Sequence, residues 1–137
     1  MTQKQLYKIV SATLLIFCFS FYGYAQQFKA PYKLGSVQSF VNTKMNLKTQ
    51  KTLTLNVSNE ESFIVDVKSS TSSKHKYYVF GSLRGYKNAT IYILGNDDAL
   101  KGKILDYKNK RAFVITTDDN NQVSIKEVDI NKEVCIM

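Results

Sequence analysis

Residues 76–128 read KYYVFGSLRGYKNATIYILGNDDALKGKILDYKNKRAFVITTDDNNQVSIKEV, and this stretch decides the fold. Apolar and polar residues alternate through most of it, which is typical of antiparallel strands that place one face on a core and the other in water. Short polar turns interrupt the alternation at 85–88, 95–98, 107–110 and 118–121. The pattern therefore predicts a series of hairpins.

Two shorter segments before this stretch continue the pattern. Residues 51–57 (KTLTLNV) and 62–68 (SFIVDVK) alternate cleanly and flank a polar turn, so they predict a further hairpin. Residues 69–73 (SSTSS) are small and polar and predict a flexible loop. The whole pattern predicts an all-β fold of about seven or eight strands. An antiparallel sandwich and a partly open barrel fit it equally well.

Local irregularities should mark where strands bend or end. Gly81 and Gly85 lie inside or just after a strand, where glycine marks a bulge, a bend or a close backbone approach. Val123 and Ile125 are at odd positions, whereas Val128 and Ile130 are at even positions, and this change of phase predicts a bulge near Glu127.

The segments on either side of this pattern are expected to differ from it. Residues 26–50 are polar and irregular and predict a mobile arm with one or two helical turns, so the β domain should span 51–137. Residues 134–137 are apolar and predict an edge strand.

The first 25 residues have the pattern of a secretory signal peptide. Two lysines precede an apolar run at 9–21, and small residues at Gly23 and Ala25 predict cleavage between Ala25 and Gln26. The run is shorter than the roughly 20 residues that span a bilayer, so we expect no stable membrane anchor. The protein should be exported, either secreted or periplasmic; a permanent anchor is the alternative.

Charge and cysteine content narrow the function classes. The formal net charge is +8, and removal of 1–25 takes away two lysines and no acids, which leaves +6. This charge favours an anionic partner such as an acidic protein, a polysaccharide or a membrane surface, or else simply keeps the domain soluble. Nucleic acid is not expected for an exported protein. Cys18 leaves with the signal, so Cys135 remains alone and no intramolecular disulfide can form.

The residues for common catalytic sites are missing from the sequence. His75 is the only histidine, so a His-x-x-x-His zinc motif cannot occur, and we expect this residue to be exposed at a strand entry. A Cys135–His75 pair lacks any flanking nucleophile motif. The aspartates at 97–98 and 118–119 suit turns better than a calcium loop. We therefore expect no enzyme activity, no cofactor and no metal site.

Aromatic residues provide the candidate binding surface. Tyrosines and phenylalanines number 9 and 8 in the chain. Clustered rings suit a face that binds sugar or peptide, although core packing and cross-strand pairing are the simpler explanation. The candidate binding residues, which include one neighbouring arginine, are Tyr77, Tyr78, Phe80, Arg84 and Tyr86.

One stretch also resembles a known family. Its residues read Tyr78-x-Phe80-Gly81-x-Leu83-x-Gly85-x-x-x-Ala89-x-Ile91-x-Ile93, followed by Leu100-x-Gly102-x-Ile104. This order resembles the N-terminal pro-domain of reprolysin-type secreted zinc metalloproteases, in particular those from Bacteroidetes, over residues 53–135. The resemblance implies a β-rich module that helps a protease to fold and keeps it inactive until cleavage.

The chain departs from that family because it has no His-Glu-x-x-His motif. The resemblance thus implies a stand-alone pro-domain homologue, or a truncated gene product, and not a peptidase. In some members a propeptide thiolate binds the catalytic zinc, and Cys135 is the candidate here, although it lacks the usual proline- and glycine-flanked motif and would otherwise be a buried small hydrophobe.

Two function hypotheses follow from these observations. The first is an exported, non-enzymatic module that inhibits a secreted zinc protease or assists its folding. The alternative is an exported module that binds or adheres to a glycan or an envelope protein.

Overall fold

A computed structural model of the chain describes residues 3, 28–45 and 50–134. Apart from residue 3, the predicted signal peptide lies outside the described residues, as do its cleavage site between Ala25 and Gln26 and the thiol of Cys135. The described part forms eight strands, two short helices and one π-helical segment.

The strands are, in chain order, β1 Tyr32–Ser36, β2 Thr52–Asn56, β3 Ser62–Ser73, β4 Lys76–Leu83, β5 Ala89–Asn96, β6 Leu100–Asp106, β7 Arg111–Thr117 and β8 Gln122–Val128. Helix α1, Val37–Phe40, continues directly into the π-helical segment Val41–Met45, and we call these nine residues the plug. Helix α2 is Ile130–Val134.

All eight strands belong to one antiparallel sheet in the order β1-β8-β7-β6-β5-β4-β3-β2. Strands β2 to β8 follow one another as hairpins, and β1 returns to pair with β8. The sheet curls into a nearly closed barrel. The all-β prediction is therefore confirmed, and of the two predicted architectures the protein adopts the partly open barrel.

The barrel is filled by the inward residues of each strand. Leu55, Val65, Ile91, Ile104 and Ile115 are completely buried. Each such aliphatic side chain contributes about 1.5–3 kcal/mol through the hydrophobic effect. Because side chains alternate across a strand, the alternation in the sequence places these residues on the inner face and the polar residues on the outer face.

The polar arm predicted at 26–50 is wrong over 32–45, which belong to the barrel, but the helical turns predicted within it are present. Strand β1 pairs with β8, and the plug buries four apolar residues in the core: Val37, Phe40, Val41 and Met45. Their spacing of three, one and four residues places them on one helical face. The Ser36 hydroxyl caps α1 by accepting a hydrogen bond from the Ser39 N–H at 3.1 Å. The β domain thus begins before residue 51.

The loop predicted at 69–73 is also wrong, because β3 runs unbroken to Ser73. Ser69 to Ser73 pair with Phe80 to Lys76 of β4. Pairing with an aromatic-rich neighbour overrides the weak strand preference of serine. The chain then reverses at Lys74 and His75, which have φ angles of 51° and 62°.

The bulge predicted near Glu127 is corrected as well. Strand β8 pairs with β7 without a shift as far as Val128 opposite Ala112, so the predicted bulge near Glu127 is absent from this described pair. The change of phase instead turns Val128 to the outer face. There α2 buries Ile130 and places Lys103 Nζ 2.7 Å from Glu133 Oε2. Of the edge strand predicted at 134–137, only Val134, the last residue of α2, lies within the described residues.

The two glycines mark special backbone sites, as predicted. Gly81 lies opposite Val67, where β3 has a register shift, and a Cβ atom on it would lie 2.5 Å from the carbonyl oxygen of Asp66. Gly85 has a φ of +81° in the β4–β5 turn. Glycine is thus needed at the first for close approach and at the second for left-handed backbone.

Candidate functional site

The two ends of the barrel are closed in different ways. At one end, which we call the ion-paired end, Arg111 of β7 binds two carboxylates. Its Nη1 and Nη2 donate to Glu61 at 2.9 and 2.8 Å, and its Nε donates to Glu127 at 2.8 Å. These bonds lower the pKa of Glu61 and raise the pKa of Arg111. The guanidinium also lies 5.0 Å from the ring centroid of Phe113.

Aromatic rings fill the space beneath these charges. Phe63 packs edge-on against both Tyr86 and Phe113, with ring centroids 5.2 and 5.5 Å away. This arrangement is favourable for the ring quadrupoles. The ion-paired end therefore has a structural role: it joins the β2–β3 turn to β7 and β8 and leaves the Arg111 donors occupied.

The five predicted binding residues do not form one surface. Tyr77 and Tyr86 pack against the core at opposite ends of the barrel, and Arg84 pairs with Asp66. This pairing lowers the pKa of Asp66. Only Tyr78 and Phe80 lie together on the outer face of β4, because they share the parity that alternates away from the core.

These two residues belong to a larger outer surface. Tyr78 lies opposite Leu94 of β5, which lies opposite Lys101 of β6, and Phe80 lies opposite Tyr92. Tyr78 is 38% exposed. On the β3 side the facing residues are Ser69 and Thr71, which are too small to cover the rings. We call this surface the outer patch; it consists of Tyr78, Phe80, Tyr92, Leu94 and, at its borders, Lys76 and Lys101.

Sequence reasoning missed Leu94, Lys76 and Lys101 as members of this surface. The signal was available in part, since the three residues have the outward parity of their strands. The register between strands decides which outward residues become neighbours, and this register cannot be read from the sequence.

A polar cavity lies at the other end, which we call the plugged end. The cavity measures about 370 Å³ and is lined by Gln38, Val41 and Asn42 of the plug, by Tyr77 of β4 and by His75 and Asp97 of the neighbouring turns. Asp97 Oδ1 accepts a hydrogen bond from the Tyr77 hydroxyl at 2.6 Å, which raises the pKa of Tyr77.

Asp97 also orients the histidine of this cavity. His75 Nδ1 lies 2.5 Å from Asp97 Oδ2, and the His75 side chain is 81% exposed, as predicted for a residue at a strand entry. A carboxylate that fixes one ring nitrogen leaves the other available, which is the arrangement of a general base. Among the described residues that line the cavity, none is a serine, threonine or cysteine nucleophile.

In the aspartate-rich loops, side-chain oxygens accept hydrogen bonds from backbone N–H groups of the same turn. Asp118 Oδ1 accepts from the N–H groups of Asn120 and Gln122, both at 2.9 Å. Asn96 Oδ1 likewise accepts from Asp98 and Ala99. Within 28–45 and 50–134, no group of three histidine, cysteine, aspartate or glutamate residues is placed to hold a metal ion. In the same part of the chain, no helix combines the length and the apolar character needed to cross a membrane.

The barrel has one interruption, between β1 and β2. These strands end the sheet order, and no ladder joins them in the described part of the chain. A cavity of about 160 Å³ lies between them, and a second of about 350 Å³ lies where 29–32 approach 57–60. We call this interruption the seam.

Comparison of the chain with protein families, with curated proteins and with solved structures gave no match. The resemblance to metalloprotease pro-domains therefore stays a prediction, and the functional argument depends on the surfaces described above.

Proposed function

We propose that this protein is an exported, non-enzymatic binding domain that docks onto an acidic region of a partner protein through the outer patch. The observation that supports the proposal is the register that aligns Tyr78, Phe80, Tyr92 and Leu94 between Lys76 and Lys101. The partner class that the sequence resemblance implies is a secreted zinc metalloprotease, which the domain would inhibit or help to fold.

The chemistry of the outer patch suits a protein partner. Tyrosine offers a large apolar ring with a hydroxyl at its edge, and residues of this type contribute much of the binding energy at interfaces. Lys76 and Lys101 are exposed at the borders of the patch, where positive charge attracts and orients an acidic partner. The net charge of +6 that remains after removal of 1–25 adds a longer-range attraction of the same sign.

The test adds the full chain, tagged at its C-terminus, to the culture medium of the source organism. Two results are measured: whether a secreted zinc protease co-purifies with the chain, and whether the chain inhibits that protease. The double variant Tyr78→Ser with Lys101→Glu should weaken binding by about tenfold or more. Tyr107→Ser is the matched control, since Tyr107 is 48% exposed but lies outside the patch. Full protease activity at a saturating concentration of the domain would reject the protease as partner.

The cavity at the plugged end favours the second candidate, a module that binds a glycan of the cell surface. Side-chain amides, a carboxylate and a tyrosine line it, and such planar polar groups can satisfy sugar hydroxyls. If this function holds, Asn42→Ala should abolish retention on a glycan array while Asn59→Ala should leave it unchanged. A lack of binding across a broad array would remove this candidate.

A further inference from the structure

We propose that the seam is a second binding site, at which an extended acidic segment of a partner protein adds as a strand to the free edge of β2. The inference depends on the proposed function only in that the partner is a protein. It uses β2, the last strand of the sheet order, rather than the central strands β4–β6, and none of the residues of the outer patch.

The backbone of β2 directs hydrogen-bonding groups into the seam. The Val67 N–H donates to the Lys51 carbonyl at 2.8 Å, and the Val57 N–H donates to the Glu61 carbonyl at 3.0 Å. In an antiparallel ladder the bonded pairs alternate with non-bonded pairs, so the odd residues of β2 bond to β3. The even residues therefore point their N–H and C=O groups away from β3; they are Thr52, Thr54 and Asn56.

No strand of the described chain uses those groups, since β2 ends the sheet order. Exposed edges of this kind are templates for pairing with another chain, and proteins usually block them. Here the residues whose backbone groups face the seam are small and polar, and β2 contains no proline or charged residue. An added strand would satisfy the edge by the mode known as β-augmentation.

The side chains on the seam define what the added strand should carry. The inner wall of the 160 Å³ cavity is apolar and includes Leu34, Phe40 and Leu55. Because strand residues alternate, every second side chain of the added segment would face this wall. Small β-branched side chains such as valine match the volume.

The outer positions of the segment should be acidic. Lys33 and Lys44 line the same cavity, which has no carboxylate among its described lining residues, and Lys29 lines the larger cavity at the end of the seam. Glu60 also lines that larger cavity, and Glu61 nearby is bound to Arg111, so the preference for acidic side chains rests on Lys33 and Lys44. Complementary charge would therefore favour glutamate or aspartate over lysine at the solvent-facing positions.

The probe is the octapeptide acetyl-(Val-Glu)4-amide, labelled with a fluorophore and titrated with the full chain in low salt. We expect saturable binding that is at least about tenfold tighter than binding of acetyl-(Val-Lys)4-amide. A version methylated at alternate peptide nitrogens cannot pair with a strand edge and should also lose about tenfold or more. Absence of saturable binding, or equal binding of the charge-reversed or methylated peptide, would overturn the proposal.

A matched pair of variants locates the site. Thr54→Pro removes an N–H that points into the seam but leaves the bonds to β3, and proline is tolerated at such an edge. Thr54→Val keeps the N–H and changes only the side chain. We expect the proline variant to lose the peptide by about tenfold and the valine variant to retain it. Undiminished binding by a folded proline variant would overturn the proposal, and the methylated peptide decides the matter if that variant does not fold.

The two proposals fail separately. Tyr78→Ser with Lys101→Glu should not change binding of the octapeptide, because neither residue lines the seam. Suppose that the octapeptide does not bind, but that the double variant binds the protease more weakly than the unmodified chain does. The seam proposal is then wrong and the proposed function stands.

Discussion

The plugged end and the ion-paired end close the same barrel by different physical means. The plug buries apolar side chains, with Phe40 2% and Val37 1% exposed. The ion-paired end instead relies on one guanidinium bound to two carboxylates, all three of which are about 30% exposed. The first kind of closure is non-directional and independent of pH, whereas the second depends on geometry and on ionisation.

The difference also explains where a ligand can enter. A helix laid across a barrel cannot match its rim everywhere, so the polar side of the plug leaves a cavity beside His75 and Asp97. At the ion-paired end the rings of Phe63, Tyr86 and Phe113 fill the space below the charges. The predictions below test this contrast, from the largest effect to the smallest.

Truncation of the plug should have the largest effect. Phe40→Ala removes a ring from the sealed core and should lower the free energy of unfolding by about 3–5 kcal/mol, because it loses transfer energy and leaves a cavity. Urea denaturation measures the change. Phe28→Ala is the control, since Phe28 is 42% exposed and should change stability little. A loss below about 1 kcal/mol for Phe40→Ala would show that the plug does not help to hold the barrel.

Removal of the cation at the ion-paired end should cost less. Arg111→Met leaves Glu61 and Glu127 near each other without a partner. A fully buried pair broken in this way costs about 3–5 kcal/mol, and partial exposure should reduce the loss to about 2 kcal/mol. The matched control is Arg84→Met, whose pair with Asp66 is about half exposed and should contribute little. Equal losses for the two variants would mean that burial does not distinguish these ion pairs.

The ion-paired end should lose stability in acid. Arg111 lowers the pKa of Glu61 in the folded protein below its ordinary value of 4.5. The contribution of Glu61 is therefore fully present above about pH 4.5 and is lost as the pH falls through the lower, folded pKa. Glu61→Gln should flatten the decline of stability on acidification, as measured by urea midpoints from pH 6 to pH 3. Glu60→Gln, at the exposed neighbour, should leave the wild-type slope, and a matching change in both variants would contradict the assignment.

The plugged end should instead lose stability in alkali, and this is the smallest of the expected effects. The hydrogen bond to Asp97 raises the pKa of Tyr77 above its ordinary value of 10.0, so its contribution is present below pH 10 and is lost as the pH rises through the folded pKa. Tyr77→Phe should flatten the alkaline decline, whereas Tyr107→Phe should not. Ultraviolet titration of the phenolate in the two variants checks the assignment. If Tyr77→Phe leaves the wild-type phenolate titration unchanged near and above pH 10, the bond to Asp97 does not hold the phenol proton.

The sequence predicted the elements that depend on neighbours along the chain. Seven strands and their turns at 85–88, 95–98, 107–110 and 118–121 follow from alternation and from turn residues, both of which act over a few positions. The need for glycine at Gly81 and Gly85 was also visible. The candidate site was predicted only in part: Tyr78 and Phe80 share a surface, but Tyr77, Arg84 and Tyr86 have other contacts.

The tertiary structure decided everything that depends on pairing between distant residues. Tyr32 pairs with Ile125, which turns the predicted arm into a strand and makes the sheet a barrel rather than a sandwich. The plug, the packing of α2 and the Arg111 ion pairs likewise join residues far apart in the chain. Alternation fixes which side of a strand a residue faces, but the register between strands fixes its neighbours. For this reason the sequence alone determined a set of antiparallel strands, and only the folded barrel created the outer patch, the polar cavity and the seam.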